Sequence, residues 1–382
     1  MSTKSITIGT KTIGKGNPVF IIAEAGVNHN GNLSLAKKLI DAAVEAGADA
    51  VKFQTFDPDT LVTKEAAKAE YQIRNESKGK NPPQATPFSS HHPASPTRHP
   101  SSGRRGGEME ESQYAMLKRL MLKREYHAEL KKYAEQKGII FLSTPFSLSD
   151  AEFLKELGVP ALKIGSSDTN NIPYLRAIAK WKLPLILSTG MSDLALITES
   201  VDAIRAAGNT ELIVLHCTTN YPAPIGEVNL RAMQTLQKEL DVPVGFSDHT
   251  EGNVAAIASV ALGASVIEKH LTLDKTMPGP DHKASLNPKE FGELVRAIRD
   301  VEKALGTGKK ELFRSEKEIA KVARKSLVTV TAIKKGETFS QKNLTTKRPG
   351  TGLPPKDFDR VIGSRATRDI SADTLILKTD FS

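Results

Sequence analysis

LPLILSTGMSDLALITESVDAIRAAGNTELIVLHCT, residues 183–218, decides the fold. A short apolar run over 183–189 is too brief for a helix and ends in Ser188 and Thr189. An amphipathic helix pattern follows over 195–207 and closes on Gly208, where a left-handed C-cap is expected. A second apolar run, 212–218, then begins. Strand, helix and strand within 36 residues is a βαβ unit, which implies parallel strands and a crossover helix.

The unit repeats in both directions. Strands are predicted at 19–25, 50–55, 140–145, 161–166, 183–189, 212–218, 243–248 and 265–271. Helices are predicted at 33–46, 112–137, 149–157, 173–181, 195–207, 229–239, 253–262 and 288–305. Gly47, Gly138, Gly158, Gly208, Gly263 and Gly306 stand at helix ends. Eight such units predict a (β/α)8 barrel of the TIM type, residues 1–306, with 5–14 as a hairpin closing its bottom. The alternation stops after Gly306. A polar linker, 307–322, leads to a small β-rich domain, 323–382, with β-type runs SLVTVTAI (326–333) and TLILKTDF (374–381) and a short helix near 355–361.

The composition fits this reading. The chain has 382 residues, 39% hydrophobic and 25% charged. A single cysteine, Cys217, excludes a disulfide framework and a cysteine-based zinc site and suits a reducing, cytoplasmic location. No apolar leader and no run of about 20 apolar residues is present, so neither secretion nor a membrane partner is expected. The net charge of +9 is partly local, because 78–107 holds five basic residues and no acidic one. No basic patch interleaved with aromatics accompanies it, so no nucleic-acid partner is expected. The stretch 78–107 is rich in Pro, Ser, Gly and His, and is expected to be a disordered insertion in the barrel. Its histidines, His91, His92 and His99, have no rigid scaffold for a metal.

In such a barrel the active site forms at the C-terminal ends of the strands. There the sequence places Glu24, Asn28 and His29; Lys52 and Gln54; Thr144; Lys163 and Ser166; Ser188 and Thr189; His216 and Tyr221; Ser247, Asp248 and His249; Glu268 and His270. Successive strand side chains alternate in face, so Lys52 and Gln54 point inward while Val51 and Phe53 pack outward. A charge facing a barrel interior is costly unless it is paired or bound. Two lysines, two glutamates and several histidines converging on one end predict a functional mouth. His249 and His270 stand on neighbouring strands. They are either satisfied core histidines or a pair that can share a metal, and imidazoles with oxygen ligands suit Mn²⁺ or Mg²⁺. Lys52 and Lys163 with Thr144, Ser166 and Ser247 make a set able to hold a phosphate. His216 reads equally as a core histidine or a mouth residue.

Ordered blocks give these residues a context. AEAGVNHNG (23–31), VKFQTF (51–56), STPF (143–146), KIGSSD (163–168), STGM (188–191), HCTTNYP (216–222), GFSDH (245–249), IEKHLTLDK (267–275) and GPDHKAS (279–285) resemble the sialic acid (N-acetylneuraminate) synthase family. KRPGTGL (347–353) resembles the signature of the antifreeze-like SAF domain that ends such enzymes. The resemblance implies condensation of phosphoenolpyruvate with N-acetylmannosamine or a related N-acetylated hexose. It assigns His249 and His270 to a divalent metal, and Lys52, Thr144, Lys163, Ser166 and Ser247 to phosphoenolpyruvate. Glu24 becomes the catalytic carboxylate, with Glu268 as a second catalytic group. Gln54, Asn75, Tyr221, Asp281 and Arg348 fall at sugar positions, Arg348 reaching the sugar across a domain-swapped homodimer.

Asp168 and Asn220 depart from the neuraminate pattern, each standing where a glutamate is common. A 2,4-diacetamido-2,4,6-trideoxy sugar, giving legionaminic acid, is therefore a rival substrate. The intact GPDH argues against the pseudaminate branch. A non-catalytic glycan-binding role is the rival of another class, and the retained mouth residues count against it.

Overall fold

The computed structural model describes residues 4–76 and 111–382. The insertion expected at 78–107 lies outside the described residues. The chain divides into two compact units, Met1–Gly306 and Thr307–Ser382.

The first unit begins with an antiparallel hairpin of β1 (Ser5–Ile8) and β2 (Lys11–Gly14). Eight parallel strands follow: β3 (Phe20–Gly26), β4 (Ala50–Thr55), β5 (Ile140–Pro145), β6 (Leu162–Ile164), β7 (Leu185–Ser188), β8 (Leu212–Cys217), β9 (Val244–Asp248) and β10 (Val266–His270). Their order is β5-β4-β3-β10-β9-β8-β7-β6. The end strands β5 and β6 are neighbours in space, which rolls the sheet into the predicted barrel.

Period-two alternation builds this barrel in layers. Outward residues such as Val51, Phe53, Leu187 and Val214 pack on the helices in one apolar core. Inward residues Ile22, Ala50, Leu142, Ala161, Ile186, Leu215 and Val266 form a second core with Ile6, Ile8 and Ile13 of the hairpin. The hairpin thus plugs the bottom. Two residues further along the same eight strands stand Glu24, Lys52, Thr144, Lys163, Ser188, Cys217, Ser247 and Glu268. Every one of these eight is buried. The barrel therefore carries a polar layer directly above an apolar one. On β9 the lower position is Gly245, where a Cβ would stand 2.5 Å from the Val266 carbonyl oxygen.

The helices depart from expectation at one place. The pattern over 112–137 is two helices, Gln113–Leu120 and Arg124–Gln136. They bury different surfaces. Met116 and Leu120 pack with Val27 and Phe56 beside the mouth, whereas Leu130 and Ala134 pack on the barrel wall. One straight helix cannot serve both. Two short helices not foreseen in the sequence, Pro58–Leu61 and Glu70–Glu76, stand after β4. Gly47 ends its helix in the left-handed region, with φ 83° and ψ 26°. Gly306 does not, since its ψ is −153°.

In the second unit the stretch expected as a linker contains a helix, Arg314–Ala323. β11 (Ser326–Thr329) pairs antiparallel with β12 (Leu344–Lys347). TLILKTDF makes only isolated bridges, Val328 with Leu375 and Ala366 with Phe381. Leu327, Phe339, Leu344, Val361, Ile370 and Ile376 fill a small separate core. The expected short helix is present as a single turn, Phe358–Val361, after Pro355–Asp357.

Candidate active site

The polar layer, apart from Cys217, forms the floor of a cavity of about 490 Å³ at the C-terminal end of the barrel. Glu24, Lys52, Gln54, Thr144, Lys163, Ser166, Tyr221, Ser247, Glu268 and Asp281 line it, together with His249 and His270. Asn28, His29, Thr189, His216 and Asp248, expected at the mouth, do not line it, nor does Asn75, expected at the sugar. Asn75 is buried nearby, and its amide donates to the carbonyls of Tyr221 at 3.1 Å and Pro280 at 2.7 Å, tying two mouth loops together. Arg348 is exposed on the second unit, in the segment after β12.

The floor is a lattice of opposite charges. Lys52 contacts Glu24 Oε2, donates to Thr144 Oγ1 at 3.0 Å and lies 3.7 Å from Glu268 Oε2. Lys163 donates to Glu268 Oε1 at 3.2 Å, and Ser247 donates to the same oxygen at 2.8 Å. Gln54 donates to Glu24 Oε1 at 3.4 Å. The two glutamates are driven apart. Burial works to raise Glu268, but Lys163, Lys52 and the Ser247 hydroxyl overrule it and hold this carboxylate below the usual range. Burial prevails at Glu24 despite Lys52, and Glu268 reinforces it, so Glu24 titrates above the usual range. Glu24 is thus fitted to accept a proton, while Glu268 acts as a fixed negative charge between the lysines.

The histidines are neutral at pH 7. Burial pushes His249 down to about 4, against the opposing bond to the Thr218 carbonyl. Burial also holds His270 well below its ordinary value, assisted by His249. His249 Nδ1 donates to Thr218 O at 2.8 Å, which leaves Nε2 with its lone pair. His270 Nδ1 is buried without a hydrogen-bond partner and lies 3.8 Å from Asp281 Oδ2. The two rings are 5.5 Å apart, and Tyr221 stacks at 4.2 Å from His249. Such lone pairs fit a divalent cation with two protein ligands. No group of three or more His, Cys, Asp or Glu among the described residues is arranged to hold one alone. His216 is a structural residue, its Nε2 donating to the Val228 carbonyl at 2.7 Å.

Sequence reasoning passed over Lys269 and set Asp248 at the mouth, whereas Asp248 does not line the cavity. The two form a buried pair at 2.9 Å, and Asp248 Oδ1 accepts from both the backbone and the hydroxyl of Thr250. This fixes the turn that carries His249. The signal was a charge in each strand out of phase with the inward residues. Tyr71, Gln72 and Met116 also line the cavity and carry no sequence signal, since they come from helices outside the barrel repeat.

Comparison with known proteins shows what the chain as a whole is similar to. The chain matches the NeuB family over residues 39–90 and 88–310 and the SAF domain over 324–382. It is 45% identical over 373 residues to N,N'-diacetyllegionaminic acid synthase of Legionella pneumophila, covering 97% of this chain and 96% of that protein. It is 36% identical over 368 residues to human N-acetylneuraminate-9-phosphate synthase, covering 96% and 93%. A crystal structure of sialic acid synthetase from Leptospira borgpetersenii superposes with a TM-score of 0.66 at 35% identity, covering 84% of this chain and 95% of that one.

Proposed function

The chain belongs to the NeuB family, and from that premise we propose that it condenses phosphoenolpyruvate with an N-acetylated hexose and water to give a nine-carbon sugar acid and phosphate. The observation that carries the reading is the polar layer. Two lysines and three hydroxyls, facing an ionised Glu268, stand beside two neutral histidines within one cavity.

In this reading Lys52, Lys163, Thr144, Ser166 and Ser247 hold the phosphate and carboxylate of phosphoenolpyruvate by charge and directed donors. A divalent cation held by His249 and His270 would supply Lewis acidity toward the sugar aldehyde. The enol carbon forms a bond to the aldehyde carbon as the C=O π pair moves onto the aldehyde oxygen, which takes up a proton from water to become a hydroxyl. Water adds to the carbon bearing the phosphate ester, and Glu24 takes its proton. The C–O bond to phosphate then breaks, and the two lysines stabilise the charge of the leaving group. Tyr221, Gln54 and Asp281 face the sugar.

Two observations support a choice of sugar. Relatives at 45% identity are named for diacetyllegionaminic acid, against 36% for the neuraminate 9-phosphate enzyme. One side of the cavity is an apolar wall of Val27, Phe56, Leu61, Met116, Leu120 and Phe146. Such a wall suits a deoxy carbon and acetyl methyl groups better than a phosphorylated end. The favoured substrate is therefore 2,4-diacetamido-2,4,6-trideoxymannose, with N-acetylmannosamine second. Phosphate release with phosphoenolpyruvate and each sugar tests this. Turnover is expected to be highest with the diacetamido sugar. A preference for N-acetylmannosamine moves the assignment to neuraminate, and no release with any N-acetylated hexose overturns the enzyme reading. By family resemblance the protein acts as a domain-swapped homodimer, in the cytoplasm, with Mn²⁺ or Mg²⁺. No helix among the described residues is long and apolar enough to cross a membrane.

A further inference from the structure

Cys217 and Gly190 have no role in the reading above, yet both close on Ser166. Cys217 belongs to the polar layer as the last residue of β8 and is 5% exposed. Its Sγ lies 3.2 Å from Ser166 Oγ. The Gly190 backbone N–H donates to that same oxygen at 3.0 Å. A Cβ on Gly190 would stand 2.0 Å from Thr219 Oγ1, 2.9 Å from Ser166 Oγ and 3.1 Å from Cys217 Sγ. The backbone approaches Ser166 so closely only because residue 190 has no side chain.

A serine hydroxyl has one proton and two acceptor lone pairs. Gly190 occupies one lone pair. An anion in the cavity attracts the Ser166 proton, because a bond to an ionised acceptor is about twice as strong as a neutral one. The second lone pair then faces the Cys217 thiol, which can donate its S–H to it. A second group in the same cavity also points to an anion. Ser188, in the polar layer one strand away, is 3% exposed, and its hydroxyl has no hydrogen-bond partner among the described residues.

We propose that Cys217 is a positioning residue for phosphoenolpyruvate: its thiol and the Gly190 N–H fill both lone pairs of Ser166 and aim that hydroxyl's proton at an anionic oxygen of the substrate. The inference rests on the reading of Ser166 as a phosphoenolpyruvate contact. It gives the only cysteine of the chain a task that needs neither thiolate chemistry nor a metal. Serine is the conservative replacement, since it keeps a donor. Alanine and valine remove the donor.

The test is phosphoenolpyruvate binding to the full-length protein, measured by calorimetry without sugar, together with steady-state kinetics. Cys217→Ala is expected to weaken phosphoenolpyruvate binding about three- to tenfold, the effect of losing one net hydrogen bond. The KM for sugar is expected to stay within about twofold. Cys217→Ser should restore most of the affinity. In a Ser166→Ala background, Cys217→Ala should add nothing further. Cys217→Val, near the thiol in size and lacking a donor, replaces the alanine variant if that fails to fold. Wild-type affinity in the donorless variant overturns the proposal, as does an equal loss with and without Ser166. Wild-type protein that does not bind phosphoenolpyruvate overturns the functional reading instead.

Discussion

Lys163 Nζ lies 3.2 Å from Glu268 Oε1, across the full width of the barrel. β6 and β10 stand four places apart in an eight-strand order, so this pair spans a diameter. It closes the polar layer over the apolar one below, and it holds Glu268 ionised in a buried site.

Breaking that pair exposes its cost. Glu268→Ala leaves two buried lysines without their shared counter-charge. Removing one partner of a buried ion pair typically costs about 3–5 kcal/mol. Chemical denaturation should show a loss of that order, with turnover falling at least a hundredfold. Unchanged stability would mean that solvent already compensates the lysines.

Metal dependence is the next expectation. Chelator-treated protein, and either His249→Ala or His270→Ala, should lose turnover while circular dichroism stays native. Added Mn²⁺ or Mg²⁺ should restore the chelated wild type and not the variants. Full activity after thorough chelation removes the metal from the mechanism.

Acid stability is predicted from His29. Burial, with His127 second, pushes this imidazole from its ordinary 6.5 down to about 4. Below pH 6.5 the unfolded chain takes up the proton more readily than the folded one. Stability is therefore complete above pH 6.5 and is lost as pH falls toward 4, by up to about 3 kcal/mol from this group. His29→Gln should flatten the stability profile across that window in urea titrations. An unchanged profile assigns the acid limb to other groups.

Arg348 tests the assembly. Arg348→Ala and Arg348→Lys should raise the KM for sugar at least tenfold and that for phosphoenolpyruvate by less than about twofold, because lysine lacks the planar donor fork. Mixing an Arg348→Ala chain with a Glu24→Gln chain should restore part of the activity, since one mouth of the mixed dimer would hold both groups. A mixture that stays inactive while mixed dimers form rules out the domain-swapped arrangement.

What the sequence determined by itself is the part written in periodicity. Short apolar runs and helix patterns are local, so they predicted eight strands close to their observed limits, and the alternation along the second strand put Lys52 on an inward position. The plug hairpin and the C-capping glycines are local in the same sense. Tertiary structure decided what periodicity does not encode. Arg124–Gln136 and Gln113–Leu120 share one helical pattern and separate only because their apolar faces meet different surfaces. His216 reads equally as a core or a mouth residue in the sequence, and its partner is a backbone carbonyl twelve residues away. The opposite titration of Glu24 and Glu268 depends on which lysines reach each carboxylate across the barrel. Those distances arise only when the sheet closes, because electrostatic work in a buried site depends on three-dimensional separation and on exclusion of water, neither of which a linear spacing contains.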